Sequence, residues 1–89
     1  MNSVGIDISK NRSTVAVMRP FGDVVISPFE AGHTVSELSE LAKRLKSLDG
    51  ETRVVMEATG NYHTPVANLL TNAGLYVSVV NAKRVHGYG

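Results

Sequence analysis

The spacing of apolar residues changes abruptly about one third of the way along this chain of 89 residues. Between Val4 and Val17, apolar and polar side chains alternate with a period of two, which is typical of half-buried β-strands. From Val35 to Leu48, apolar side chains recur every three or four positions, which predicts an amphipathic helix. A chain that switches from one period to the other is predicted to fold as an α/β domain.

Turn-forming residues divide the first third into strands. The polar residues 10–12 join two alternating runs, so we expect a β-hairpin there. Residues 20–23, Pro-Phe-Gly-Asp, give a second turn signal. We expect a third strand over residues 24–27 that ends at Pro28, since proline lacks the N–H that a strand ladder uses. The first third is therefore predicted to be a three-stranded meander.

The helix predicted over residues 35–48 has clear end signals. Thr34 and Glu37 form a capping box, which satisfies two amides at the start of the helix. Asp49-Gly50 ends it, and the basic residues of its second half suit the helix dipole. A buried strand is expected over residues 53–57, a second helix over 64–73 with Pro65 in its first turn, and a last strand over 76–80.

The predicted order is β-β-β-α-β-α-β, which we interpret as one mixed five-stranded sheet in the order 3-2-1-4-5 with β2 antiparallel. Both crossovers move the same way across the sheet, so right-handed connections place both helices on one face. The opposite face is expected to have no cover from this chain. In each strand, alternate side chains point to the same face of the sheet. We expect the following residues to point toward the helices: Val4, Ile6, Ile8, Val15, Val17, Val54, Met56, Val77 and Val79.

Composition narrows the class of protein. A net charge of +1 excludes a strongly basic or acidic tail, and the lack of cysteine excludes disulfides, zinc fingers and thiol catalysis. A hydrophobic fraction of 43% and a charged fraction of 19% favour a globular domain over disorder. No apolar run reaches the roughly 18 residues of a membrane span, and no signal peptide is recognised. We expect a reduced, cytoplasmic setting and no membrane partner.

Two carboxylates are the candidate catalytic and metal-binding residues. Asp7 lies in the first predicted strand and Glu57 ends the fourth; in the order above these strands are neighbours. Paired carboxylates suit Mg²⁺, which prefers oxygen ligands, and two such ions about 4 Å apart can hold both oxygens of a phosphodiester displacement. The alternative is that Asp7 caps a strand end and Glu57 is a surface carboxylate. Aspartate is, however, a poor strand former, and such conflicts tend to mark function.

Two blocks of sequence resemble a known family. Residues 5–10 read Gly-Ile-Asp-Ile-Ser-Lys, and residues 54–62 read Val-Val-Met-Glu-Ala-Thr-Gly-Asn-Tyr. Together with Pro65, Leu69 and residues 79–81, these blocks resemble the DEDD-type insertion-sequence transposases, recombinases with a RuvC-like domain that are sometimes called the "IS one-ten" group. The likeness runs from about Val4 to Arg84. The proline usual after Val-Val-Asn in that family is Ala82 here.

The resemblance implies a ribonuclease H-like fold and Mg²⁺-dependent cleavage and transfer of DNA strands. It identifies residues 1–89 as the N-terminal part of a RuvC-like catalytic domain. The composition of residues 82–89 makes them a basic polar tail. The resemblance makes Asp7 the first and Glu57 the second of four acidic ligands, with the other two further along a longer protein. The two-metal site is thus expected only in the complete domain, and the 89 residues alone are expected to be inactive. It further implies a structured RNA that guides the choice of DNA site.

Other residues are candidates for nucleic-acid contact. Thr59 and Tyr62 follow Glu57 in a loop, where Tyr62 offers a stacking face for a base; a loop packed on the core is equally open. The cations Lys10, Arg12, Lys83 and Arg84 could contact phosphates, although such residues are more often simply solvated. The two histidines His33 and His63 are expected at the surface. Ser9 and Ser13 show no His-Asp partners in the sequence, so a nucleophilic triad is not expected.

Two rival functions remain. An actin-like or sugar-kinase-like ATPase also opens with a strand that carries an aspartate, but its phosphate loop needs glycine where Ile8 and Ser9 stand. A non-catalytic assembly module would need neither Asp7 nor Glu57. Whatever the function, the bare sheet face and the edge strands, which are the third and fifth strands in chain order, would leave apolar surface in water. We therefore expect self-association through that face or those edges.

Overall fold

The protein forms one mixed β-sheet with two helices. The structure, a computed structural model, describes residues 1–19, 24–58 and 60–81. The elements are β1 (Asn2–Ile8), β2 (Arg12–Met18), β3 (Val24–Gly32), α1 (Val35–Lys46), β4 (Thr52–Ala58), α2 (Thr64–Asn72) and β5 (Tyr76–Asn81). The sheet order is β3-β2-β1-β4-β5. β2 runs antiparallel to β1 and β3, whereas β1, β4 and β5 are parallel. The predicted topology is confirmed.

One face of the sheet carries the core. Burial alternates strictly along β1 and almost strictly along β4, which follows from the two-residue period of a strand. The buried strand residues form one cluster with Leu38, Leu41 and Leu45 of α1 and Val66 and Leu70 of α2. Both helices therefore cover the same face, as predicted. All the strand residues expected on that face are buried or half-buried except Val79, which is 44% exposed.

β3 is longer than the sequence predicts, and the prediction that it ends at Pro28 is wrong. The strand continues to Gly32, with Phe29 opposite Val15 and Ile26 opposite Val17. Ser27 and Pro28 of β3 therefore lie opposite the single residue Ala16 of β2, which is the arrangement of a β-bulge. Because β3 is an edge strand and Pro28 lies within this bulge, the missing N–H interrupts little of the ladder.

α1 begins with half of the predicted capping box. The backbone N–H of Glu37 donates to Oγ1 of Thr34 at 3.1 Å, as an N-cap should. The Glu37 carboxylate does not reach the N-cap amide; it accepts instead from the backbone N–H of Gly32 at 2.7 Å. Glu37 thus ties the end of β3 to the first turn of α1. Ser47 is the C-cap, so the helix ends slightly before the predicted Leu48.

The second half of the chain matches its prediction closely. Pro65 lies in the first turn of α2, where its missing N–H has no helical partner to lose. Gly74 follows the helix with φ of 96°, a conformation that glycine adopts without strain. The parallel register of β1, β4 and β5 places the carboxyl ends of all three strands at one end of the sheet. No helix in the described ranges is long and apolar enough to cross a membrane.

Candidate functional site

Asp7 and Glu57 lie side by side on the open face of the sheet. β1 and β4 are adjacent and parallel, and their register pairs Asp7 directly with Glu57. Both side chains are exposed. Adjacent strands are about 4.8 Å apart, so two carboxylates at one register position on one face can reach a common ligand. The convergence expected from the sequence is confirmed.

The buried neighbours of these residues fix their direction. Ile6 and Ile8 flank Asp7 and are both buried under the helices, as are Met56 and Ala58 around Glu57. Side chains of a strand alternate between faces, so burial of the flanking residues turns both carboxylates outward. A one-residue slip of either strand would bury a charge and expose three apolar side chains. The hydrophobic core therefore holds the carboxylate pair in position.

A row of side chains runs across the open face at this level. Thr14 of β2 pairs with Asp7, Glu30 of β3 pairs with Thr14, and Val80 of β5 pairs with Glu57. The Glu30 carboxylate accepts from Nη1 of Arg12 at 2.9 Å. In the part of the chain that the structure describes, neither Asp7 nor Glu57 takes part in an ion pair. Their two negative charges are therefore adjacent, with no compensating cation among the described residues.

An open depression adjoins the two carboxylates. It encloses about 350 Å³ and is lined by Gly5, Ile6, Asp7, Thr14, Ala16, Pro28, Val55 and Glu57. A Cβ placed on Gly5 would have no described atom within 4 Å, and the φ of Gly5 is not positive. Neither backbone conformation nor close packing in these residues requires a glycine here. Its lack of a side chain leaves the floor of the depression open beside the carboxylates.

Three of the candidate nucleic-acid residues, Lys10, Arg12 and Tyr62, lie in the described part of the chain. Lys10 is exposed in the hairpin turn, which the Ser9 amide closes by donating to the Arg12 carbonyl at 3.0 Å. Tyr62 is 45% exposed, on the connection between β4 and α2. Arg12 lies in β2 rather than in the turn, and its guanidinium is engaged by Glu30. Lys10 and Tyr62 both lie at the end of the sheet where Asp7 and Glu57 stand.

Three of the candidates cannot be placed. Thr59, Lys83 and Arg84 lie outside the described residues, as do the second turn signal at 20–23 and the basic tail at 82–89.

His33 and His63 differ from their expected surface positions. His33 is half-buried, and its Nε2 lies 2.8 Å from Oγ of Ser13, which is only 1% exposed. No described aspartate bonds this imidazole, so a nucleophilic triad is still not indicated for Ser13. Ser13 points into the core, away from the open face, so the bond ties β2 to the segment after β3. His63 precedes α2, and its buried Nδ1 has no partner within the described residues. Sequence spacing gave no signal for either arrangement.

Comparison with known proteins identifies the family. A family model described as a transposase, of the DEDD type and the "IS one-ten" insertion-sequence group, matches residues 4–89. The chain belongs to the DEDD-type insertion-sequence transposases. This family model covers both carboxylates and nearly the whole domain, and it confirms the resemblance carried by the two sequence blocks. No curated protein matches the sequence.

Solved structures share the fold of this transposase domain at low identity. Pelota from Archaeoglobus fulgidus is 19% identical with a TM-score of 0.60, over 91% of this chain and 26% of that one. A ROK family protein from Streptococcus pneumoniae, solved in complex with sucrose, is 19% identical with a TM-score of 0.54, over 91% of this chain and 34% of that one. The chain thus spans about a quarter to a third of these structures, and the likeness shows the fold alone.

Proposed function

We propose that this transposase domain is the ribonuclease H-like part of a DNA-cleaving and strand-transferring active site, in which Asp7 and Glu57 hold Mg²⁺. The observation that carries the proposal is the register: the two carboxylates pair directly on neighbouring parallel strands, on the exposed face. The sheet order 3-2-1-4-5, with β2 antiparallel, agrees with the ribonuclease H-like fold that the resemblance implies.

The donor chemistry of the pair fits a hard divalent cation. Both groups are anionic oxygen donors, and Mg²⁺ is commonly bound by one or two carboxylates together with water and phosphate oxygens. Two adjacent carboxylates without a cationic partner repel each other, and a bound cation would relieve that repulsion. The alternative role of Asp7 as a strand-end cap has no support, since its carboxylate accepts no hydrogen bond from any described residue.

The pair alone is an incomplete site. No group of three or more potential metal-ligating side chains occurs among residues 1–19, 24–58 and 60–81. Following the family resemblance, we propose that two further aspartates of the longer protein complete the ligand set. When bound, the metal would stabilise charge on the attacking and leaving oxygens of the phosphodiester. The part that Asp7 and Glu57 play is to fix its position at the exposed end of β1 and β4.

The proposed substrate is DNA, and the proposed guide is a structured RNA that directs the choice of site. Both follow from the family resemblance. Lys10 and Tyr62 supply a phosphate-binding cation and a stacking surface at the carboxylate end of the sheet. The depression above Gly5 leaves room for a further element to approach Asp7 and Glu57.

Isosteric substitution of the carboxylates tests the metal site. In the longer transposase, Asp7→Asn and Glu57→Gln should each lower DNA cleavage by at least about 100-fold, because each removes a charged ligand. Circular dichroism should show an unchanged fold, since both side chains are exposed. Glu30→Gln is the matched control: it removes a carboxylate from the same row but should leave cleavage within about threefold of wild type. Cleavage at the wild-type rate by either test variant would exclude the assignment.

Salt dependence tests the nucleic-acid surface. Lys10→Ala should weaken binding of DNA or RNA by the longer transposase, and the slope of log affinity against log salt should fall by about one unit, as for the loss of one phosphate contact. Tyr62→Ala should weaken binding without changing that slope, because stacking carries no charge. Lys43→Ala on α1 is the control, since this lysine lies on the helical side. Unchanged affinity and slope in Lys10→Ala would contradict the proposed contact.

A further inference from the structure

The two edges of the sheet are built differently. β3 has features that discourage pairing with another strand: Pro28, two register shifts against β2, and the charged side chain of Glu30. The guanidinium of Arg44 also lies 4.4 Å from the ring centre of Phe29, over the same strand. Bulges, proline and charge are the means by which natural sheets protect an edge from further pairing. β3 is therefore a protected edge.

β5 lacks the proline, the register shifts and the charged strand residue, although the guanidinium of Arg53 lies 5.5 Å from the ring centre of Tyr76. Residues 76–81, Tyr-Val-Ser-Val-Val-Asn, contain no charged residue and no proline. Their register with β4 is regular over the whole strand. Tyr76 is 64% exposed, Val79 44% and Val80 40%, so apolar surface is open on both faces of the strand. In the described part of the chain, no strand pairs with the outer edge of β5. A regular, uncharged, apolar edge is a template for another strand.

We propose that β5 pairs antiparallel with β5 of a second copy of this chain, which joins two five-stranded sheets into one of ten strands. A two-fold axis perpendicular to the sheet relates the copies and keeps both pairs of helices on the same side. Two residues that lie opposite each other must then point to the same face of the sheet, so their numbers are both even or both odd. Centring the pairing on Ser78 places Tyr76 against Val80 of the second copy and Val77 against Val79, so that every apolar residue of the strand gains an apolar neighbour.

The uncharged sequence and regular register of β5 favour a second copy of the same chain as the partner. An antiparallel pair of identical strands is self-complementary, and the centred register brings no like charges together. Self-association through the open face is less favourable, because a copy stacked there would set the uncompensated charges of Asp7 and Glu57 against their own equivalents. A pairing of two six-residue strands is a small interface, so the dimer should be weak and concentration-dependent. The proposal does not depend on the metal site.

The register can be tested by cross-linking, since the wild-type chain has no cysteine. Directly opposite residues of antiparallel strands lie within disulfide range. Under mild oxidation, Ser78→Cys should form a covalent dimer, whereas Val80→Cys alone should not. A mixture of Tyr76→Cys and Val80→Cys chains should form the mixed dimer. Ser27→Cys on the β3 edge is the matched control. Cross-linking of Ser78→Cys no faster than that of Ser27→Cys would overturn the proposal.

Sedimentation measures the same interaction without a covalent bond. The wild-type chain should show a reversible monomer–dimer equilibrium between about 10 µM and 1 mM, the range of a small interface. Val79→Lys should raise the dissociation constant by at least about tenfold, because the edge then carries a charge that pairing would have to desolvate. Ser27→Lys should leave it unchanged. A strictly monomeric wild type, or equal effects of the two lysines, would contradict the pairing; circular dichroism verifies that both variants are folded.

Discussion

At the scale of single residues, the carboxylate pair runs against the needs of the fold. Asp7 lies in a central strand whose alternate residues are fully buried, and it faces Glu57 in register. Like charges directly opposite each other destabilise a sheet. Neither carboxylate has a compensating cation among the residues described. Such a local conflict is expected where function, rather than stability, has selected the side chain.

Removal of one charge of the pair should therefore stabilise the 89-residue chain. We expect Asp7→Asn to raise the free energy of unfolding by up to about 1 kcal/mol near neutral pH, because a repulsion between neighbouring strands disappears. Urea denaturation at low ionic strength measures this. The gain should shrink in about 0.5 M salt, since screening weakens interactions between exposed charges.

Glu30→Gln is the control for this measurement. The wild-type Glu30 lies in the same row as Asp7, but its carboxylate accepts a hydrogen bond from Arg12 at 2.9 Å. Its substitution should leave stability unchanged or lower it slightly, because an exposed ion pair is lost. If Glu30→Gln stabilised the chain as much as Asp7→Asn, the gain would reflect general charge reduction rather than repulsion within the pair.

At the scale of secondary structure, the joint between β3 and α1 depends on one glycine. A Cβ at Gly32 would collide with the carboxylate of Glu37, which accepts the Gly32 amide hydrogen bond. The same carboxylate also accepts from the Thr34 hydroxyl at 3.2 Å. Glycine at this position therefore allows the strand and the helix to share one side chain.

Two glycine substitutions should have opposite effects on stability. Gly32→Ala should lower the free energy of unfolding by about 0.5 kcal/mol, because Glu37 must move and its bond to the strand is lost, while the restriction of the unfolded chain by alanine offsets part of that loss. Gly5→Ala should raise it by about 0.5 kcal/mol, since alanine restricts the unfolded chain and meets no described atom. Thermal or urea denaturation measures both. Equal destabilisation by the two would show that Gly5 is needed for packing after all.

At the scale of the whole molecule, the domain has one covered face and one open face. Both helices and the core lie on one side, while the carboxylates, the depression and the exposed side chains of Val55 and Val80 lie on the other. A sheet with a single covered face leaves room for another layer. The proposed metal site lies on this open side.

The 89 residues by themselves should therefore show no DNA cleavage. Two carboxylates bind Mg²⁺ weakly, since the ion keeps most of its water unless more ligands or phosphate oxygens are supplied. A cleavage assay on supercoiled DNA with Mg²⁺ measures this, with the longer transposase as the positive control. Robust cleavage by the isolated chain, abolished by Asp7→Asn, would show that the proposed further ligands are unnecessary.

The class and order of the elements follow from the amino-acid sequence alone, because the periods of strands and helices depend only on local alternation. The sequence also predicted that Asp7 and Glu57 converge, since β1 and β4 are neighbours in the predicted strand order, which the structure confirms. The family resemblance, confirmed over residues 4–89, pointed to the same two residues.

The continuation of β3 past Pro28 depends on tertiary packing, because an edge position and a bulge remove the penalty that proline carries in a paired strand. The tertiary structure alone showed that Ser13 bonds His33 and that Glu37 bonds Gly32. Arg12, a candidate for phosphate contact, donates from its guanidinium in β2 to Glu30 in the neighbouring strand β3. These contacts join residues 5 to 20 positions apart, and local periodicity carries no information about which side chains meet when separate elements pack together.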